Sequence, residues 1–197
     1  MSFVDKVVAA VTPPESAQSR LKARAKARAA AGSNDWLALI LDHHVGIEDA
    51  FAAVGSAQGA AARTHALKSL ALIMTGHSNA EEAVIYPALV RAGHKSDAMS
   101  SYAEQADAKA NMGELEYLDV ESADFLHKLE HIHGAVAHHM YEEESDRFLD
   151  LKELPIEAQN RLTRRYQQEF ERYMGNEAPP PISDAVRGTR GASPAAR

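Results

Sequence analysis

Two short stretches of the chain carry the same pair of groups at the same spacing. His77 is followed four residues on by Glu81, and His139 four residues on by Glu143. On a helix that spacing sets imidazole and carboxylate on one face, one turn apart. Each pair interrupts an otherwise apolar stripe. An ionised glutamate at a core position is costly unless it is paired or bound to a cation. His44 breaks a third apolar stripe and Gln105 a fourth. Imidazoles and carboxylates gathered without a thiolate suit iron, manganese or zinc. Carboxylates that can bridge two ions favour a dinuclear site in the core of a helical bundle. The competing reading is a buried His–Glu hydrogen-bond network with no metal.

The remaining histidines sort by the company they keep. His138 also has a glutamate four on, Glu142, but its stripe of His127, His131, Gly134 and His138 is polar throughout and reads as a solvated face. His44 continues the stripe Leu37, Leu41, Ile47, Phe51 and is preferred to His43, although Trp36, Ile40 and Ile47 also neighbour His43. His65, His94 and His133 are expected at the surface.

Helices must position these groups, and the composition favours helices. Alanine is abundant, while glycine and proline gather near the ends and at a few breaks. The spacing predicts four helices, over 35–54, 60–91, 97–118 and 122–151, each with an inward stripe at 3–4 spacing. A fifth, over 156–174, is highly charged and stops at Gly175. Short loops imply an all-α, up-down antiparallel four-helix bundle spanning 35–175, with the fifth helix added at its C-terminal end. Equal distances from the connecting turns bring His77, Glu81, Gln105 and His139 to one level. The first hairpin fits less well, because His77 lies further from Gly55 than His44 does, and a loose loop is expected there.

Residues 1–34 read as an N-terminal helical arm. A short amphipathic helix over 3–11 is stopped by Thr12-Pro13-Pro14, and a run of Ala, Arg and Lys over 20–31 shows no core face. That run is read as a solvated arm, with a basic docking arm as the sharper alternative. Residues 176–197, with Pro179-Pro180-Pro181, read as a disordered tail.

Composition also excludes. The chain has no cysteine, which rules out disulfides, iron–sulfur clusters and zinc–thiolate sites. Its net charge of −7 argues against a nucleic-acid surface. No signal peptide and no membrane span are evident, so the cytoplasm is the expected compartment.

The segment running from His77 through Glu81-Glu82 to Tyr86-Pro87 resembles the HxxxEE motif of hemerythrin-like, or HHE cation-binding, domains. His139 through Glu143-Glu144 resembles its second copy, and Leu41-Asp42-His43-His44 through Ile47 and Phe51 is similar to the family's first-helix histidine segment. The resemblance covers about 35–150. It implies a bundle binding non-haem iron, as two ions with an oxo or hydroxo bridge, in a protein that binds, carries or senses dioxygen, nitric oxide or peroxide. The implied ligands are His44, His77, Glu81, His139 and Glu143. The family places a histidine on the third helix where this chain has Glu104-Gln105, which opens three roles for Gln105: a ligand, a hydrogen-bond partner of bound water, or an open position. Glu104 is the substitute if the helix is rotated. Proline is also missing after Phe148, where Leu149 stands. Three functions remain: small-molecule binding or sensing, an oxidase or peroxide-decomposing enzyme, and iron storage. Tyr86, Tyr102 and Tyr141 are expected to pack or to lie at the surface, with redox roles as the alternative.

Overall fold

The computed structural model describes residues 15–174, all-helical with no strand among them. The helix expected over 3–11 and the tail over 176–197 lie outside the described residues. The first helix, α1, spans Ala17–Ala30, with Ser16 capping it by accepting from the Ser19 amide. The next, α2, spans Trp36–Ser56. The Asp35 carboxylate caps it, accepting from the Ala38 amide at 2.9 Å and the Gly32 amide at 2.7 Å and pairing with Lys152. Then come α3 (Ala60–Ala80), a π-helical turn (Glu81–Ile85) and α4 (Tyr86–Arg91) as one continuous rod. Gly93, at φ +100°, turns the chain into α5 (Lys95–Leu115), a conformation that favours glycine. Ser122 caps α6 (Ala123–Glu142), which runs into a second π turn (Glu143–Arg147) and a 3-10 turn (Leu149–Glu153). The last helix is α7 (Ile156–Met174).

The helices pack as a bundle: α2 lies along α3 and α6, α5 along α6, and α7 across α2 and α3. The apolar core is divided in two. One cluster holds Trp36, Leu37, Leu41, Ile85, Leu89 and Phe148, and the other Ile47, Phe51, Leu70, Phe125, Ile132 and Met140. Along α2 the break between them falls at His44. Along α3 it falls at His77.

Three features differ from the sequence reading, and one, on the fifth helix, adds to it. The Ala/Arg/Lys run has a core face after all, because Ala23 and Ala27 of α1 are buried against the bundle. Small side chains give almost no hydropathy signal, yet they allow a close approach. The 60–91 and 122–151 segments are not uniform α-helices, since each contains a π turn. The charged fifth helix carries a buried stripe of Leu162, Tyr166, Phe170 and Met174. Finally, the connection after α2 is clamped rather than loose. The Arg63 guanidinium donates to the Ala57 and Val120 carbonyls at 2.8 Å each and to Val54 at 3.3 Å. It thereby covers the carbonyls that end α2.

Candidate metal centre

His44, His77, Glu81 and Glu143 are all buried, and one ligand atom from each lies within 4.8 Å of the others. Three helical segments therefore converge on one point inside the bundle. The histidine Nε2 atoms face the carboxylates: His44 is 3.4 Å from Glu143 Oε2, His77 is 3.3 Å from Glu81 Oε2, and His139 is 3.2 Å from Glu143 Oε1. His139 stands beside the group of four, on the far side of Glu143. Gln105 is buried too, and its amide donates to Glu81 Oε2 at 2.6 Å.

Each of the three imidazoles is held from behind at Nδ1. His44 Nδ1 is 2.8 Å from Glu144 Oε1, which also accepts from Arg24 Nε at 2.9 Å. His77 Nδ1 is 3.1 Å from the Tyr166 hydroxyl, and His43 Nδ1 is 2.8 Å from the same oxygen. That hydroxyl can accept from His77 while donating to His43, whose pKa burial pushes down to about 4. His139 Nδ1 is 2.7 Å from Glu104 Oε2, itself paired with Arg147 at 2.8 Å. Fixing a proton at Nδ1 leaves the Nε2 lone pair free toward the centre.

The two π turns shape this arrangement. In each, the glutamate carbonyl accepts from the amide five residues on, Glu81 from Tyr86 and Glu143 from Phe148. The wider turn brings residue i+5 over residue i. The Tyr86 hydroxyl consequently donates to Glu143 Oε1 at 2.9 Å and to Glu81 Oε2 at 3.1 Å and sits 3.3 Å from His139 Nε2. Such turns recur at functional sites. In an α-helix the same spacing points a side chain well away, which is why the sequence put Tyr86 in ordinary packing. Pro87, which lacks an N–H, accompanies the first turn. The second forms without a proline.

The electrostatics suit a bound cation. Burial, then the neighbouring Glu81 charge, pushes the Glu143 carboxyl well above its usual range, and burial raises Glu81 to about 8. Burial, with Arg24 next, holds His44 well below the usual imidazole value, and burial with His44 does the same to His77. His139 is raised: burial pushes it down, but the Glu143 and Glu104 carboxylates outweigh that. His44 Nε2, His77 Nε2, Glu81 Oε1, Glu143 Oε2 and Gln105 Oε1 are buried with no hydrogen-bond partner. Buried polar atoms are rarely left so. Imidazole nitrogens and carboxylate oxygens, all unspent and pointing at one another, fit a hard-to-borderline cation.

The model of the hemerythrin HHE cation binding domain matches residues 35–149. The chain belongs to the hemerythrin HHE cation-binding family. The match covers both His–Glu motifs and the α2 histidines. It leaves out α1 and α7, which lie before and after it. No curated protein and no solved structure matches the chain significantly.

The other sequence expectations can now be placed. His43 is behind the centre, stacked on Phe170 at 3.8 Å between ring centroids. Glu104 faces away from Glu81 and Glu143, toward Arg147. Lys109 pairs with Glu82 and leaves Gln105 alone. His138 is exposed and pairs with Glu15 and Glu142, while half-buried His133 stacks on Phe51 at 4.8 Å. Sequence reasoning gave no role to Arg24, Glu144 or Tyr166.

Proposed function

We propose that this hemerythrin-family chain holds non-haem iron, as a pair of ions, and binds or senses dioxygen or a related small oxidant such as nitric oxide or peroxide. The observation that carries the proposal is the inward set of three Nε2 atoms around two buried carboxylates, each imidazole pinned at Nδ1. His44, His77, Glu81, His139 and Glu143 are the proposed ligands. Glu143 stands between His44 and His139, and Glu81 beside His77, so both carboxylates could be shared by two ions. Gln105 Oε1, buried and unpartnered, is the proposed contact from α5. The bundle is inferred to run up-down and antiparallel, which brings these levels together. When bound, the iron supplies the affinity for dioxygen and its relatives and any redox change. The protein orients the imidazoles, excludes bulk water, and holds the Tyr86 proton between the two carboxylates. An amide in place of an imidazole gives a weaker donor on that side. That favours a second reading, an oxidase or peroxide-decomposing enzyme.

Elemental analysis with an optical spectrum before and after dioxygen tests the reading. Two irons per chain and an oxygen-dependent band support it. The His77→Ala, His139→Ala double variant should bind no iron, and full occupancy in that variant would overturn the assignment. Rapid turnover of added peroxide by the loaded protein decides for the enzyme.

A further inference from the structure

Beside the centre lies a cavity of about 570 Å³ whose inner end is formed by His77, Gln105 and His139. A diatomic needs only a small part of it. Sites of roughly 300–1,000 Å³ hold organic molecules of many atoms, and an apolar void of about 150 Å³ already accepts benzene. The walls are apolar and adaptable, chiefly Leu67, Met74, Met112, Leu115, Val136 and Met140. Unbranched methionines yield to ligands of varied shape.

The cavity follows from how two helices diverge. The α4 rod packs on α5 next to the Gly93 turn, but α3 and α5 part beyond it. Ala71 on α3 and Ala108 on α5, both on the cavity wall, are too small to close the seam. The void therefore runs away from the centre along α5, from Gln105 toward Glu116 and Leu118. At the helical rise that is about 16 Å. Three charged residues line the void: Lys109, which is held in a pair with Glu82, and Lys68 and Glu116, of opposite charge, so the lining offers little net attraction to either sign.

We propose that this cavity binds a molecule with a single long alkyl chain, its polar head at the mouth and its chain end at His77, Gln105 and His139. The proposal extends the reading of the metal centre, placing an organic ligand next to it. Recognition rests on burying the chain, so head chemistry is secondary and alkanols and alkanoates serve as alternative sources of the same chain.

The test is calorimetric titration of the full chain, iron-free and iron-loaded, with two series, 1-alkanols and alkanoates, from eight to sixteen carbons. Affinity should rise about fourfold per methylene, then level off once the chain fills the cavity, and each series should saturate at one molecule per chain. Ala108→Phe, which narrows the seam one turn from Gln105, should weaken the longest chains at least tenfold with iron content unchanged. Ala71→Phe makes the same test from the facing helix if the first variant does not fold. In the loaded protein the optical spectrum should shift on binding in the parent and not in the narrowed variant. Iron-free titration reads the cavity alone, so failure of the metal assignment leaves that arm standing. No saturable binding, affinity indifferent to chain length, or equal affinity in both narrowed variants overturns the proposal. Binding that leaves the loaded spectrum unmoved overturns the placement of the chain end.

Discussion

Among the described residues, Tyr86 is the single side chain that touches both carboxylates of the centre and the third histidine. Its position depends on a π turn, and the equivalent position in the second motif is Phe148, which has no hydroxyl and packs edge-on against Trp36 at 6.0 Å. The two motifs are alike in sequence but not in role. Glu144, after the glutamate of the second motif, is buried against Arg24 and His44, whereas Glu82, after that of the first, is partly exposed and paired with Lys109. Tyr86→Phe removes the shared proton donor from Glu81 and Glu143. A buried acceptor left unsatisfied costs about 1–3 kcal/mol. The iron-free variant should lose that much in denaturant unfolding, and the loaded variant should show a shifted iron band. An unchanged midpoint together with a superimposable spectrum would show that the hydroxyl is mere packing. The histidine and glutamate positions were legible in the sequence because their polar groups broke apolar stripes at helical spacing. Tyr86 was not, because i+5 is in phase only on a π turn, and Pro87 does not mark that turn in the sequence, since the second turn forms with Leu149 in the corresponding place.

At the level of elements, two of the three pinned imidazoles depend on helices outside the family match. From α1, Arg24 reaches Glu144, at 2.8 Å, and Glu48, at 2.7 Å. From α7, Tyr166 reaches His77. The same helix closes on α3 at Gly76, where a Cβ would stand 3.2 Å from the Phe170 ring and 3.3 Å from Met174 Sδ. These partners were illegible because long-range contacts leave no periodic signature, and the buried face of α1 consists of two alanines. Arg24 has the clearest consequence. Burial raises the Glu144 carboxyl and Arg24 opposes that rise. With Glu144 ionised, His44 carries its proton at Nδ1 and offers Nε2. Without the guanidinium that opposition is gone and the carboxyl rises further; in its neutral form Glu144 would donate a hydrogen bond to Nδ1 and leave the His44 proton on Nε2, where it blocks ligation. Arg24→Ala should weaken iron binding about 10–100-fold, measured by chelator competition, with Arg24→Lys recovering part of the loss. Arg28→Ala on the same helix is the comparison: it removes the pair with partly exposed Asp42 and the bond to the Ala38 carbonyl, and it acts on Glu144 only through space, below Arg24 in effect. Equal affinities for Arg24→Ala and Arg28→Ala would assign α1 a packing role alone.

For the whole molecule, the centre divides the core, so the cation and the fold are linked. Two apolar clusters meet across a layer of imidazoles and carboxylates that no hydrophobic contact can replace. Ligands gathered only by folding make metal affinity part of folding stability, and the linkage has a sign in pH. In the iron-free protein Glu81 is raised from 4.5 to about 8 and Glu143 is raised well above 4.5, so the folded state keeps protons that the unfolded chain has released. Stability is then lost as pH rises from about 4.5 through 8. His44 and His77 are lowered, which adds stability with rising pH, but only up to about 6.5, where the unfolded chain loses the same protons. His139 is raised, so its contribution too is lost upward through its folded value. Between about pH 6.5 and 8 these shifts all run one way, and the iron-free protein should lose on the order of 2 kcal/mol across that window. A cation bound there would hold the carboxylates deprotonated and remove the slope. Melting temperatures of loaded and fully chelated protein, taken across the window, should therefore diverge as pH rises. A gap that stays constant with pH would mean that Glu81 and Glu143 do not change protonation when the cation leaves, and a gap of zero would mean that the cation does not bind where the core divides.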